Sequence, residues 1–270
     1  MKVLCPAKIN LFLNVLGLTD NNMHRLFLVN QTVDLYDEID FELNKDDSIV
    51  LKSNDDIPLD EKNSVYKAAS LFRETYNIKD GFIFDIKKHI PIEAGLGGES
   101  TDAAGVLLLL NKYYKLNISV EELSVLGSKI GSDVPFFIHS GFKFVTSTGT
   151  IVNEASISNP FNYYIIVKPN YGLSTKEMFH KIDSEEYKEV DIGKLPYNDF
   201  MKVVPQSILD IKDYFNSIDL TNHTLSGSGS SYYVALVDKD IELYNKIKDN
   251  YKEYKVFLVS NSDGFIVEGD

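Results

Sequence analysis

A single cysteine, Cys5, occurs in the 270 residues, and basic side chains are outnumbered by acidic ones. One cysteine excludes an internal disulfide and is typical of a protein in a reducing compartment. The 27 Lys and Arg residues against 40 Asp and Glu residues give a net charge of −13. Because a field of this sign repels polyanions, we expect neither a nucleic-acid partner nor an anionic membrane partner.

Long hydrophobic runs are also absent, since no stretch approaches the roughly 20 apolar residues that span a bilayer. The first residues, 1–5, lead directly into a patterned strand, so we predict no export signal and a cytoplasmic location. A hydrophobic content of 44% and a charged content of 25% are those of an ordinary globular protein. The length predicts one or two domains with a sizeable core.

Two familiar nucleotide-binding signatures are missing from the glycine-rich stretch 91–104, PIEAGLGGESTDAA. It lacks the lysine of a Walker loop, and its glycines do not have the spacing of the dinucleotide fingerprint. Its context nevertheless indicates a phosphate site, because a predicted strand (82–88) precedes it and a predicted buried helix (103–110) follows it. Glycines let the backbone approach an anion, and free N–H groups of a helix start point at it. A plain turn is the alternative interpretation.

The first predicted strand carries a polar stripe. Aliphatic residues at 9, 11, 13 and 15 recur with a period of two, which places Lys8, Asn10 and Asn14 on the opposite face. Such a stripe is either solvated surface or part of a polar site. A second loop of glycine and serine, LSGSGSS at 225–231, leads into a strand predicted to begin at Tyr232 and by itself is typical of a flexible turn.

The remaining pattern predicts an α/β fold. We predict further strands at 27–35, 38–43, 142–147, 163–168, 232–237, 255–260 and 264–267. We predict further helices at 64–76, 176–182, 197–204, 208–216 and 241–251, and one that starts with a capping box of Ser119 and Glu122. Residues 44–61 are interpreted as loop and hairpin, and the polar segment 150–162 as a domain boundary. Alternation of strands and helices in the second half indicates a sheet with helices on one face.

Five motifs together resemble the GHMP kinases, named for galactokinase, homoserine, mevalonate and phosphomevalonate kinases. The motifs are PAKINL at 6–11, the glycine loop, GSDVPFF at 131–137, NDF at 198–200 and SGSG at 226–229. They follow the family's order at similar intervals over nearly the whole chain. The resemblance implies a two-domain α/β (α+β) kinase, with residues 1–155 an ATP-binding and catalytic domain like the second domain of ribosomal protein S5. Residues 156–270 would form a ferredoxin-like, substrate-side domain, with the site in the cleft between the two.

The resemblance also implies an activity, and it is greatest to members that phosphorylate the 2-hydroxyl of a cytidine-diphosphate alcohol with ATP and Mg²⁺. It implies Lys8 and Asp133 as the catalytic pair. Phosphoryl transfer to an alcohol needs an oriented hydroxyl and charge stabilisation. A carboxylate within reach accepts the hydroxyl proton, and a nearby lysine keeps that carboxylate ionised. Taken alone, Asp133 ahead of Pro135 is more typical of a turn at a helix end, and the order of the motifs is what favours the catalytic role.

Further site residues are carried over from the same resemblance. For ATP they are Asn63, Lys88, Pro91, Ile92, Glu93, Ala94, Gly95, Leu96, Gly97, Gly98, Glu99, Ser100 and Thr101. For the alcohol substrate they are Asn10, Met23, His24, Thr175, Phe179, Gly227 and Ser228. Ser100 is the one candidate metal ligand. Phe179 matches the aromatic residue that stacks on cytosine, although core packing is an alternative role for it.

Two departures from the family pattern leave the substrate open. Met23 stands where the family usually has a tyrosine that stacks on cytosine, and a thioether replaces that stacking only in part. Glu99 replaces a loop glycine, so its carboxylate repels a triphosphate, binds Mg²⁺, or simply stabilises a helix N-terminus. The alternatives are another GHMP small-molecule kinase, of mevalonate or homoserine type, and a nucleotide-binding homologue without catalysis. No oligomeric state is predicted.

Overall fold

The computed structural model describes residues 1–269, which form both helices and strands. The helices are α1 (Ser64–Tyr76), α2 (Gly98–Tyr114), α3 (Val120–Ser128), α4 (Val134–His139), α5 (Thr175–Ile182), α6 (Gln206–Ser217) and α7 (Ile241–Asn250). The strands are β1 (Lys2–Leu18), β2 (His24–Asn44), β3 (Ile49–Ser53), β4 (Gly81–Lys87), β5 (Phe142–Thr146), β6 (Ile151–Glu154), β7 (Tyr163–Lys168), β8 (Tyr197–Asn198), β9 (His223–Leu225), β10 (Tyr232–Leu236), β11 (Lys255–Ser260) and β12 (Ile266–Glu268). No helix within residues 1–269 is long and apolar enough to cross a membrane.

The strands form two sheets. The larger has the order β12-β1-β2-β4-β3, with β5 paired to both β2 and β6, and β8 paired to β1. The smaller is the antiparallel sheet β11-β7-β10-β9. Because β8 and β12 both pair with β1, the second half of the sequence adds two strands to the sheet of the first half. The boundary between residues 155 and 156 therefore stays a prediction.

Apolar side chains on the two sheets form two hydrophobic clusters. In the first, Phe41 and Phe84 of the larger sheet pack with Phe72 of α1 and Leu110 of α2. The second lies where the two sheets face each other, and its members from the larger sheet include Ile9, Val29 and Val33, and those from the smaller sheet Tyr164, Ile166 and Tyr233. Helices α6 and α7 cover the opposite face of the smaller sheet, as the strand and helix alternation predicts. This packing fixes the two sheets against each other and so positions the site.

A β-bulge in β1 divides its aliphatic row between the two clusters. Asn10 pairs with Asn30 and Phe12 with Val29, so Leu11 is an extra residue in the strand. The alternation is therefore reset after Leu11. The prediction that all three polar residues share one face is wrong for Asn14, which lies on the opposite face from Lys8 and Asn10.

Several predicted elements are confirmed. The helix at 64–76 and the strands at 163–168 and 255–260 have the predicted bounds. The capping box at the start of α3 is also confirmed, since Ser119 Oγ accepts from the Glu122 backbone N–H and the Glu122 carboxylate accepts from the Ser119 backbone N–H. The helix and the capping box depend on contacts within a few residues, which a local pattern contains, and the two strands show the apolar runs of a buried sheet.

Four predicted elements are wrong, in three places, and at each place contacts from distant residues are the reason. The predicted strands 27–35 and 38–43 are one strand, β2, whose register shifts opposite Pro6 instead of ending in a turn. The predicted loop and hairpin at 44–61 contains β3, which pairs in parallel with β4. The predicted helix at 197–204 is β8 followed by a 3-10 helix at 199–202, because Asp199 accepts hydrogen bonds from Val15 N and Asn14 Nδ2 of β1.

Candidate active site

A cleft of about 540 Å³ opens where the glycine loop, the first turn of α2 and the start of α4 meet the second glycine loop. The predicted site residues that line it are Lys8, Asn10, Asn63, Lys88, Pro91, Ile92, Glu93, Ala94, Gly95, Gly97, Gly98, Glu99, Ser100, Asp133, Thr175, Phe179, Gly227 and Ser228. Leu96 and Thr101 are buried beneath the loop and do not line the cleft. Leu13 lines it as well, because the bulge in β1 turns this side chain to the side of Lys8 and Asn10. One cleft thus contains most of the residues that the motifs indicated.

The start of α2 is built as an anion site. The helix begins at Gly98, and Gly97 at the N-cap has a φ of 77° and no side chain to cap the first N–H groups. Those N–H groups have no partner within the helix and carry the positive end of its dipole. A Cβ at Gly97 would lie 2.5 Å from the Phe137 ring, so only glycine fits there. The Lys8 backbone N–H donates to the Leu96 carbonyl at 2.9 Å and holds the loop against β1.

The second glycine loop is hydrogen-bonded directly to the first. Ser226 Oγ donates to the Gly95 carbonyl at 2.9 Å, and the Ser231 backbone N–H donates to the Ala94 carbonyl at 3.1 Å. Gly95 has a φ of 71°, and a Cβ there would lie 2.1 Å from the Ser226 carbonyl oxygen. The loop that sequence alone interpreted as a flexible turn is therefore fixed against the first glycine loop.

Two further contacts hold the second loop from its other side. Asn198 Nδ2 donates to the carbonyls of Leu225 and Gly227, each at 2.8 Å. The hydroxyls of Thr175 and Ser228 are 2.8 Å apart and share a hydrogen bond between the start of α5 and the loop. The NDF motif, which contributed only to the resemblance, thus supports this loop through its asparagine.

Lys8 and Asp133 form an ion pair in the cleft. Lys8 Nζ lies 3.7 Å from Asp133 Oδ2 and also donates to Asn10 Oδ1. Asn10 Nδ2 in turn donates to Asn30 Oδ1 at 2.6 Å, which orients the Asn10 amide. Burial lowers the pKa of Lys8, and the Asp133 carboxylate opposes this effect. Asp133, at the N-cap of α4, is 31% exposed and its carboxylate makes no capping hydrogen bond, so it remains available to a ligand.

Two of the residues predicted to bind ATP use their polar atoms locally. Asn63 caps α1 by accepting from the Val65 backbone N–H at 2.8 Å, and its Nδ2 donates to the Pro58 carbonyl at 2.7 Å. Lys88 Nζ donates to two buried carboxylates, those of Asp37 and Asp102. Both residues line the cleft, and their direct contact with a nucleotide stays a prediction.

Two of the residues predicted to bind the cytosine base contact each other, and one of them, Phe179, lines the cleft. The His24 ring stacks on Phe179 with a centroid distance of 4.3 Å and an interplanar angle of 27°. Neither His24 nor Met23 lines the cleft itself, and Met23 is 56% exposed. Phe179 also packs edge-on against Phe200, with ring centroids 5.0 Å apart. Phe179 therefore both packs against the core and lines the cleft.

Sequence reasoning missed two residues beside this histidine. His24 Nε2 lies 2.7 Å from Asp183 Oδ1, and the Tyr187 hydroxyl donates to the same oxygen at 2.7 Å. These hydrogen bonds lower the pKa of Asp183. The only signal in the sequence is that Asp183 follows Phe179 by one helical turn, and no motif includes either residue.

Glu99 and Ser100 occupy the mouth of the anion site in the first turn of α2. Glu99 is exposed, and within residues 1–269 its carboxylate forms no ion pair. Its backbone carbonyl accepts from Ser64 Oγ at 2.7 Å, which ties α2 to α1. The described residues contain no group of three or more His, Cys, Asp or Glu side chains arranged to hold a metal ion.

Sequence comparisons point to one family. The profile of the GHMP kinases N terminal domain matches residues 63–141. The chain is 41% identical over 232 residues to 4-diphosphocytidyl-2-C-methyl-D-erythritol kinase of Clostridium perfringens, a match covering 83% of this chain and 78% of the relative. It is 36% identical over 277 residues to the kinase of the same name from Clostridium beijerinckii, covering 94% and 98% of the two chains.

Solved structures have the same fold. A crystal structure of 4-(cytidine 5'-diphospho)-2C-methyl-D-erythritol kinase matches with a TM-score of 0.81 and 24% identity, covering 98% of this chain and 100% of that one. Homoserine kinase from Cytophaga hutchinsonii matches with a TM-score of 0.73 and 18% identity, covering 98% and 96%. The predicted α/β GHMP kinase fold is thereby confirmed. By sequence identity over most of its length, the chain belongs to the 4-diphosphocytidyl-2-C-methyl-D-erythritol kinase family of the GHMP kinases.

Proposed function

We propose that the protein transfers the γ-phosphoryl group of ATP to the 2-hydroxyl of 4-diphosphocytidyl-2-C-methyl-D-erythritol. The observation that carries the proposal is the position of Lys8 and Asp133, 3.7 Å apart, in the cleft into which the uncapped start of α2 opens. The names of the relatives supply the identity of the alcohol. The two halves of the sequence both line the cleft, which supports residues 1–155 as the ATP side and 156–270 as part of the substrate side.

The α2 start would hold the phosphate tail of ATP. Its free N–H groups and the helix dipole stabilise negative charge, most of all in a cleft that restricts water. Gly97 and Gly98 let phosphate oxygens approach the backbone without a side chain in the way. The second glycine loop, fixed to Gly95 through Ser226, closes the other side of this site.

Asp133 would accept the proton of the substrate hydroxyl. The hydroxyl oxygen then forms a bond to the γ-phosphorus, the bond from that phosphorus to the β–γ bridging oxygen breaks, and ADP leaves. Lys8 stabilises the negative charge that develops on the attacking oxygen and the phosphoryl group. Its hydrogen bond to Asn10, held by Asn30, keeps the ammonium group in place between the two strands.

Glu99 and Ser100 fit a magnesium ion that arrives with the nucleotide. Mg²⁺ is commonly bound by one or two protein ligands together with substrate phosphates, so a cluster of three carboxylates is not required. When bound, the ion neutralises charge on the β- and γ-phosphate oxygens. Both residues line the cleft at the point where those oxygens would meet the helix.

Replacement of Glu99 by glutamine tests this magnesium role. If the carboxylate binds Mg²⁺, Glu99→Gln should raise the Mg²⁺ concentration needed for half-maximal ATP binding, because an acceptor of full negative charge is lost. Calorimetric titration of ATP at several Mg²⁺ concentrations measures this. Glu121→Gln, the same change in the first turn of α3, is the control and should alter nothing. Tighter ATP binding in Glu99→Gln with an unchanged Mg²⁺ dependence would show that the carboxylate only repels the nucleotide.

A substrate panel tests the reaction itself. The protein is incubated with ATP, Mg²⁺ and, separately, 4-diphosphocytidyl-2-C-methyl-D-erythritol, mevalonate and homoserine, and ADP release is followed. We expect ADP release above background only with the cytidylyl alcohol, because His24, Phe179 and the loops around them form a site beyond the reacting hydroxyl. Turnover of mevalonate or homoserine at comparable kcat/KM would contradict the assigned substrate while leaving the kinase reaction in place.

A further inference from the structure

A buried ionic triad lies beneath the phosphate-binding loop. Lys88, directly after β4, donates to Asp37 Oδ2 in β2 and to Asp102 Oδ2 in α2, the latter at 2.6 Å. The side chains of Lys88, Asp37 and Asp102 are 4%, 0% and 5% exposed. These three residues are called the Asp37–Lys88–Asp102 triad below. It joins β2, the segment after β4 and α2, and its members lie up to 65 positions apart in the sequence.

The triad fixes both ends of the glycine loop. The second oxygen of Asp37, Oδ1, accepts from the backbone N–H groups of His89 and Ile90 at 2.6 and 2.8 Å, where the loop begins. Asp102 lies in the second turn of α2, where the loop has ended. Lys88 bridges the two carboxylates. The loop is therefore tied to β2 at its start and, through Lys88, at its end.

Close packing connects the triad to the anion site. A Cβ at Gly98, the first residue of α2, would lie 3.3 Å from Lys88 Nζ, so the ammonium group sits directly beneath the helix start. Asp102 Oδ1 is buried and has no hydrogen-bond partner among residues 1–269, so Lys88 is the group that holds this carboxylate. Burial raises the pKa of Asp102, and the Lys88 ammonium opposes that rise. Burial of charges is unfavourable unless their mutual geometry is good, which makes the triad sensitive to any change in its members.

We propose that the Asp37–Lys88–Asp102 triad is a positioning device for the phosphate-binding loop, and that Lys88 acts on ATP through this loop rather than by touching the nucleotide. The inference rests on the proposed kinase function, because its kinetic test measures KM for ATP and for the alcohol. Loss of the triad would displace the N–H groups of Gly97 and Gly98 from their arrangement. Displacement of such groups by about 1 Å reduces catalysis by up to 10²-fold.

A double-mutant cycle tests the proposal. ATP affinity in the presence of Mg²⁺ is measured by calorimetry without the alcohol, for wild type, Lys88→Met, Asp102→Asn and the double variant. We expect Lys88→Met to weaken ATP binding on the order of tenfold, since a charge left unpaired in the interior disturbs its surroundings. The double variant should recover part of this loss, because only one carboxylate then remains buried without a cation. KM for ATP should rise, while KM for the alcohol stays within about twofold.

Contrary outcomes are distinct. If Lys88 touches ATP directly, the double variant recovers nothing and Asp102→Asn alone, which frees the ammonium group, leaves ATP binding unchanged or tighter. If the triad is merely structural, folded Lys88→Met binds ATP like wild type. Either result overturns the proposal.

Two safeguards keep the test decisive. If Lys88→Met does not fold, Asp102→Asn alone decides, since it keeps the side-chain shape and should weaken ATP binding by a measurable factor under the proposal. Lys87→Met is the matched control, because Lys87 pairs on the surface with Asp40 at 3.0 Å and should leave ATP binding unchanged. Absence of phosphoryl transfer by the wild type would contradict the proposed function, whereas the ATP affinities of the variants would still test the triad.

Discussion

Asp133→Asn is expected to lower kcat by about 10²–10⁴-fold, because an amide cannot accept the hydroxyl proton in the transition state. ATP affinity should stay near that of wild type, since the phosphates are proposed to bind backbone N–H groups at the start of α2, which this substitution leaves in place. Stability should fall, because the buried Lys8 ammonium group loses the carboxylate 3.7 Å away, although no capping hydrogen bond is lost. Steady-state kinetics with the cytidylyl alcohol, calorimetric ATP binding and thermal unfolding measure the three quantities.

Asp240→Asn is a matched control for that substitution. Asp240 is also an N-cap residue, at the start of α7, where its carboxylate accepts from the Leu243 backbone N–H at 2.8 Å. Asparagine and aspartate are about equally good N-caps, so kcat should be unchanged there. A kcat for Asp133→Asn within threefold of wild type would remove Asp133 from the catalytic role. If wild type and Asp133→Asn bind ATP equally and neither transfers phosphate, the protein is instead a nucleotide-binding homologue without catalysis.

Gly95→Ala is expected to separate the two glycine loops and to abolish measurable ATP binding. The new Cβ would lie 2.1 Å from the Ser226 carbonyl oxygen. Because this contact is with backbone, no side chain can rotate away to relieve it, and the two loops must move apart. The left-handed backbone at Gly95 adds roughly 1–2 kcal/mol of strain for alanine. Overpacking adds typically about 1–3 kcal/mol, so the free energy of unfolding should fall by the sum of the two. Denaturant unfolding and ATP calorimetry provide the measurements.

Gly141→Ala is the control that introduces backbone strain without a steric clash. Gly141 has a φ of 75°, close to that of Gly95, but a Cβ there would meet nothing within 4 Å. We expect only the strain of the left-handed backbone, roughly 1–2 kcal/mol, and ATP affinity like that of wild type. Equal losses of stability in the two variants, with ATP binding retained in both, would mean that the loops tolerate separation and that their contact does not shape the site.

The sequence predicted those site residues that belong to contiguous motifs. The glycine loop, Lys8 and Asp133 each belong to a short run of residues whose order is recognisable, and the structure brings them into one cleft. Helix α1 and the capping box of α3 likewise depend on neighbours a few residues away. Such local preferences are visible in a single chain without knowledge of its partners.

What could not be predicted depends on partners far along the chain. Asp37 pairs with Lys88 across 51 residues, and nothing around either residue signals the other. The hydrogen bond between His24 and Asp183 spans 159 residues. Asp199 accepts from β1, and this tertiary contact overrides the helical pattern of the segment around it. In each case the contact joins residues that are distant in the sequence, so local propensity does not predict it.

Because of the extra residue at Leu11, the number of residues between Lys8 and Asn14 determines which face of β1 each side chain occupies. Upstream, Lys8 must face the cleft, and downstream, Asn14 must reach Asp199 and the backbone of residues 188–190 on the other side. A deletion of one residue between them would turn every following side chain to the opposite face. Related genes should therefore tolerate exchanges of one aliphatic residue for another in this strand while rejecting any insertion or deletion of a single codon.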